Sequence, residues 1–82
     1  MEFQKGQIVF SLAGRDKGKL LVVTEIENGF VLVCDGKERP LERAKKKNPR
    51  HLKKTSTLID EDSMATNPKL RKTLKNFSNQ GR

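Results

Sequence analysis

Tryptophan and tyrosine are missing from this sequence, and its only aromatic residues are four phenylalanines. Cysteine occurs once, as Cys34, which excludes an internal disulfide framework. With a single histidine beside it, Cys34 falls short of the ligand set of a structural zinc site, so no metal or other cofactor is expected. Long apolar runs are also missing. Runs such as Leu20 to Val23 and Phe30 to Cys34 are far below the roughly 20 residues of a membrane-spanning helix. The start, "MEFQKGQ", lacks the basic region and apolar stretch of a signal peptide, so the chain is expected to stay in the cytoplasm, away from membranes.

Catalytic patterns are equally scarce. No Ser/His/Asp or Cys/His constellation has support, and the loop "GRDKGK" lacks the Gly-Lys-Ser/Thr ending with which a P-loop reaches phosphate and magnesium. Asp60, Glu61 and Asp62 lack the spacing of an EF-hand. At 82 residues the chain has room for one small domain and a tail, and a deep catalytic cleft is hard to build from it. A non-enzymatic protein, monomeric when free, is expected.

Positive charge, by contrast, is abundant. The net charge is +8, and it is unevenly placed. Residues 1–42 are nearly neutral, residues 43–54 carry seven Lys/Arg and no acid, residues 55–68 carry three acids and no Lys/Arg, and residues 69–82 carry five Lys/Arg and no acid. Blocks of like charge repel themselves, and a common reason to keep them is a polyanionic partner; the alternative is a solvated basic stretch.

Hydrophobic alternation sets the coarse architecture. Residues 7–12, "QIVFSL", place Ile8, Phe10 and Leu12 on one face of a strand. A second strand is read over residues 19–26 and a third over residues 30–34, joined by the hairpin pair Asn28-Gly29. Asp35-Gly36 is a second such pair and points to a fourth, short edge strand around Lys37 to Leu41, short because Pro40 cannot donate to a ladder. Asn48-Pro49 marks a turn, and His51-Leu52 are expected to open a last short strand or a 3₁₀ turn that closes a barrel. The fold expected is mainly β, a small antiparallel barrel over residues 1–55, with an acidic linker over residues 56–66 and a C-terminal helix over residues 67–78. Phe10, Phe30 and Phe77 suit core positions, Phe3 an exposed one, and Cys34 a small buried one.

In the tail, Asn67 reads as the helix N-cap and Pro68 as the first helical residue. Leu70, Leu74 and Phe77 form one apolar stripe. A helix this short is marginal alone in water. The second and third strands are apolar on both faces, so the stripe is expected to cover part of the barrel's outer wall.

The stretch "KGQIVFSLAGRDKGKLLVV" resembles the KOW motif, with Gly14 at its characteristic glycine and Gly18-Lys19 at its Gly-Lys pair. The likeness continues through "VLVCDGKERPLERAKKKNPRHLKKT", which is similar to ribosomal proteins of the fourteen-e and twenty-seven-e type and most similar to short bacterial KOW-domain RNA-binding proteins of that superfamily. The tail "TNPKLRKTLKNF" is similar to the end of those proteins, and residues 56–66 are the weakest part of the match. One departure is that Leu20-Leu21-Val22 stands where many KOW motifs have Gly-x-Val, which fits the fourteen-e branch better than the transcription-elongation branch. The resemblance implies an SH3-like barrel, no catalysis, and an RNA ligand, with ribosomal RNA on the large subunit foremost.

Two groups of residues carry the RNA expectation. Gly14 and Gly18 let the loop turn tightly and approach a partner, while Arg15, Lys17 and Lys19 reach toward phosphate. In the alternative, Gly14 serves only the turn and Asp16 pairs with a neighbouring cation. The second group is Arg43, Lys45, Lys46, Lys47, Arg50, Lys53 and Lys54, whose phosphate contacts would give affinity with little sequence information. His51 is included as a residue able to stack on a base, although a structural or merely exposed role suits a lone histidine better. Without a paired aromatic platform, recognition of folded RNA by shape and phosphate is expected rather than single-strand stacking. The rival reading is an adaptor of the transcription or translation machinery, with the barrel or the tail helix docking on a protein.

Overall fold

The computed structural model describes residues 3–80, with the side chain of Gln80 excepted. Met1, Glu2, Gly81 and Arg82 (Arg82 belonging to the terminal basic block) lie outside the described residues. Five strands, β1 (Gln7–Ser11), β2 (Leu20–Glu27), β3 (Phe30–Cys34), β4 (Lys45–Lys47) and β5 (Leu52–Leu58), form one antiparallel sheet in the order β4-β3-β2-β1-β5. Among the described residues one α-helix, α1 (Asn67–Gln80), follows. This is the expected mainly β architecture with a C-terminal helix. β4 and β5 are the two edges, and among the described residues no ladder joins them. The 3₁₀ turn Pro49–His51 carries the chain from one edge to the other.

Each face of the sheet has its own core. Val9, Leu21, Val23, Val31, Val33 and Leu52 pack together on the inner face, with Phe3 against them. On the outer face Ile8, Val22 and Cys34 meet Leu70 and Leu74 of α1, flanked by Leu20, Leu41, Ala44, Ile59, Met64 and Phe77. This is why the strands are apolar on both sides, and α1 docks as its stripe requires. Burying Leu70 and Leu74 stabilises the helix by about 1.5–3 kcal/mol each, which a free helix of this length lacks.

Two irregularities interrupt the ladders. The β2–β3 register shifts between Val23 and Glu25, and the β1–β5 register shifts between Gln7 and Val9. Extra residues of this kind bend a strand and increase its twist. Side chains replace the lost ladder bonds at the second one. Thr55 Oγ1 donates to the Ile8 carbonyl at 2.8 Å, and Gln7 Nε2 donates to the Thr55 carbonyl at 3.0 Å.

Several expectations are corrected. No strand forms at Lys37 to Leu41. Asp35 Oδ1 accepts the backbone N–H groups of Lys37 and Arg39, each at 2.8 Å, and holds the segment as a turn. The fourth strand is the basic run Lys45–Lys47, paired with β3 through Val33↔Lys45, Leu32↔Lys46 and Val31↔Lys47. β5 runs on to Leu58, into the stretch read as linker. The helix cap lies one residue earlier than expected. Thr66 Oγ1 accepts the Lys69 N–H, and the Thr66 carbonyl accepts the Leu70 N–H. Asn67 instead accepts the Leu41 N–H at 2.8 Å and donates to Glu42. Phe30 is exposed rather than in the core, Phe10 is half-buried, and Phe3 packs against the inner cluster rather than facing water.

Candidate nucleic-acid interface

The loop between β1 and β2 is built from backbone outward. Gly14 and Gly18 have φ of +76° and +84°, the left-handed region that favours glycine. Between them Gly14–Asp16 forms a 3₁₀ turn. The loop's neck is closed by Gly18 N–H to the Ser11 carbonyl at 2.8 Å and Ser11 N–H to the Lys19 carbonyl at 3.0 Å.

Asp16 points inward and is 2% exposed. Its Oδ2 accepts from Arg39 Nε at 3.2 Å, lies 3.1 Å from Arg39 Nη2, and lies 3.9 Å from Lys47 Nζ. Lys47 is buried too. Its ammonium donates to Ser11 Oγ at 2.9 Å and to the Ala13 carbonyl at 3.1 Å. Asp16 therefore does pair with neighbouring cations, and Lys47 is a strut beneath the loop. That corrects the expectation that Lys47 offers its charge to phosphate: the ammonium is turned into the protein and already satisfied.

The two sequence groups meet in space. Besides the Lys47–Ala13 contact, the Leu12 N–H donates to the His51 carbonyl at 2.7 Å. His51 is itself exposed. Its backbone ties the turn before β5 to the end of β1.

The remaining cations differ in how far they are already engaged. Lys19 is ion-paired with Glu38, and both side chains are exposed. The hydrogen bond between them holds the Glu38 carboxyl below its usual range and raises Lys19. Lys46 lies 5.4 Å from the centre of the Phe30 ring, and Lys54 lies 5.9 Å from that of Phe3. Arg15, Lys17, Arg43, Lys45, Arg50 and Lys53 are exposed and have no carboxylate partner among the described residues. Arg15, Lys17 and Gly18 lie on the β1–β2 loop. Lys45 lies on the β4 edge, Arg50 in the turn after it, Lys53 on β5, and Arg43 in the 3₁₀ turn before β4.

Sequence reasoning missed three participants. Arg39, the second partner of Asp16, stood in a presumed strand. Phe10 and Leu12 line a shallow groove with Ser11, Lys17, Gly18 and Lys53. Their signal was present in the alternation Ile8, Phe10, Leu12. That face is the outer one, and its burial falls along the strand from Ile8 at 1% exposure to Leu12 at 48%.

Cys34 is fully buried, and burial pushes its thiol pKa up, so it is a packing residue. Among the described residues no group of three or more His, Cys, Asp or Glu side chains is placed to hold a metal ion, and no helix is long and apolar enough to cross a membrane. Compared with protein-family models and with curated protein sequences, the chain matches none.

Proposed function

We propose that this protein is a non-enzymatic RNA-binding protein of the cytoplasm, taking folded RNA, foremost ribosomal RNA of the large subunit, through phosphate contacts. The observation that carries the reading is the set of exposed, uncompensated cations around one buttressed loop. Arg15 and Lys17 stand on a loop held from below by Asp16, Arg39 and Lys47, with Lys45, Arg50 and Lys53 on the segments that pack against it. A pre-ordered loop presents charge without the entropy cost of ordering it on binding. Arginine grips phosphate through paired N–H groups, and lysine acts as a point charge. The resemblance of residues 5–55 to KOW-type ribosomal proteins supports ribosomal RNA as the class. The adaptor reading has less to stand on, because the helix stripe it needs is occupied by the sheet.

The test is co-sedimentation with ribosomes of the same organism over a salt series. A triple variant, Lys45→Glu, Arg50→Glu and Lys53→Glu, serves as the control and spares Lys47 so that the loop keeps its strut. Pelleting with the large subunit is expected. It should weaken with salt at a log–log slope of about −4 to −5 if about six phosphates are contacted, and be lost in the variant. No pelleting at low salt overturns the ribosomal reading, and no binding to any structured RNA overturns the RNA reading.

A further inference from the structure

The outer sheet face is covered by α1 over Ile8 but only partly beyond it. Phe10 is half-buried and Leu12 is 48% exposed, although both continue the same apolar row. Together with Ser11, Lys17, Gly18 and Lys53 they line a groove of about 370 Å³ whose walls are mostly apolar. Leu12 is held there by its backbone bond to His51, and Gly18 by its bond to Ser11. Gly18 has no side chain, and nothing lies within 4 Å of where one would start, so that side of the groove stays open.

The charges around the groove are one-sided. Lys17 and Lys53 both line it, and no acid does. The adjoining hollow, which shares Phe10 and Gly18 with the groove, holds Asp35 and Glu38 beside Lys19 and Lys37 and is largely compensated. An apolar slot edged by two unpaired cations suits a ligand with a flat apolar part and an anionic part attached to it. A nucleotide has that form, because every base offers a π-face for stacking and carries its phosphate one sugar away. A duplex cannot offer this, since its bases are already stacked on one another.

We infer that the Phe10–Leu12 groove receives one unpaired nucleobase of the bound RNA, stacked on the Phe10 ring, with its flanking phosphates between Lys17 and Lys53. This deepens the RNA-binding reading and rests on it. It adds a preference for RNA that carries a bulged or looped-out nucleotide, which phosphate contacts alone do not produce.

The test uses two RNA hairpins of the same stem. One is fully paired, and the other carries a single bulged fluorescent adenine analogue. Both are titrated against the full chain and against Leu12→Ala and Phe10→Leu, with thermal melts of each protein run alongside. Leu12 is about half exposed, and Leu12→Ala is expected to leave the fold intact. Tighter binding of the bulged hairpin is expected, with a change in the analogue's fluorescence on binding. Each variant should lose about tenfold in affinity for the bulged hairpin and no more than about twofold for the paired one. Equal, salt-sensitive binding of both hairpins, unchanged in the variants, overturns the groove assignment and leaves phosphate binding standing. Failure to bind either hairpin at low salt overturns both readings.

Discussion

The Lys47 ammonium lies 3.9 Å from Asp16 Oδ2, and both side chains are almost wholly buried. One edge strand and one loop are thereby fixed to each other by opposite charges that share hydrogen bonds with Ser11, Ala13 and Arg39. Removing one member of such a pair leaves the other's charge under-compensated. Lys47→Met is expected to cost about 2–4 kcal/mol of stability in urea unfolding. Lys45→Met, two residues away and exposed, should change stability by less than about 0.5 kcal/mol. Its effect should instead be on RNA binding, reducing the steepness of the salt dependence by about one unit. Equal effects of the two substitutions on stability would contradict the strut.

Lys19 is held by Glu38, so one loop cation is neutralised at the surface. Glu38→Gln should release it and raise RNA affinity about two- to fivefold at low salt, with the gain fading as salt rises. The pH behaviour follows from the direction of the shifts. Glu38 has a lowered pKa in the folded protein, so the pair's contribution is present above the ordinary glutamate pKa and is lost as pH falls through the depressed one. Lys19 is raised and loses its charge only as pH climbs through a value above the ordinary lysine range. Wild-type and Glu38→Gln affinities should therefore keep a constant ratio between about pH 6 and pH 8 and converge only in strong acid. Filter binding at a few pH values checks this.

Gly36 and Gly18 both have positive φ, +78° and +84°, but their surroundings differ. A Cβ at Gly36 would stand 2.6 Å from the Asn67 carbonyl oxygen, whereas at Gly18 it would meet open space. Gly18→Ala should cost about 1 kcal/mol from the backbone conformation alone. Gly36→Ala should cost about 3 kcal/mol or more, because the first turn of α1 must also give way. Thermal denaturation of the two variants separates the cases.

Leu70 is fully buried and Leu74 is 6% exposed on the face of α1 that meets the sheet. Leu70→Ala and Leu74→Ala should each lower stability by about 2–5 kcal/mol. A chain stopped before Asn67 should be less stable than the whole protein. RNA affinity of the single variants, measured well below their melting temperatures, should stay near that of wild type, because the exposed cations around the loop are untouched. A chain without α1 that melted like the whole protein would show that the docked helix contributes nothing.

Much of the fold was legible because its signals were local. Asn28-Gly29 announces the β2–β3 hairpin, and the two-sided apolar strands together with the Leu70, Leu74, Phe77 stripe announce a helix on the sheet. β4 was not legible, because Lys45-Lys46-Lys47 has no alternation to read. Its placement comes from pairing with β3 and from Asp35, whose side chain takes the N–H groups that a strand at residues 37–41 would have used. The cap at Thr66 was hidden by Asn67-Pro68, a good cap signal in isolation, since the Asn67 amide is engaged by Leu41 and Glu42. At the site, the loop and the basic run were both visible as charge. Which lysine is a strut and which is a surface contact depends on depth, and consecutive lysines carry no mark of it.

Asn67 and Arg71 have a consequence for how the molecule is assembled as it is synthesised. From the start of α1 they clasp the connection between β3 and β4, Asn67 at Leu41 and Glu42 and Arg71 at the Gly36 carbonyl. β4 in turn supplies Lys47 to the loop after β1. A nascent chain can form the β2–β3 hairpin early, since that pairing is local, but this clasp closes only when α1 has left the ribosome. The loop after β1 precedes α1 in the chain yet is thus among the last parts of this fold to become rigid, so a chain stopped before α1 would carry the same basic residues without the frame that aims them.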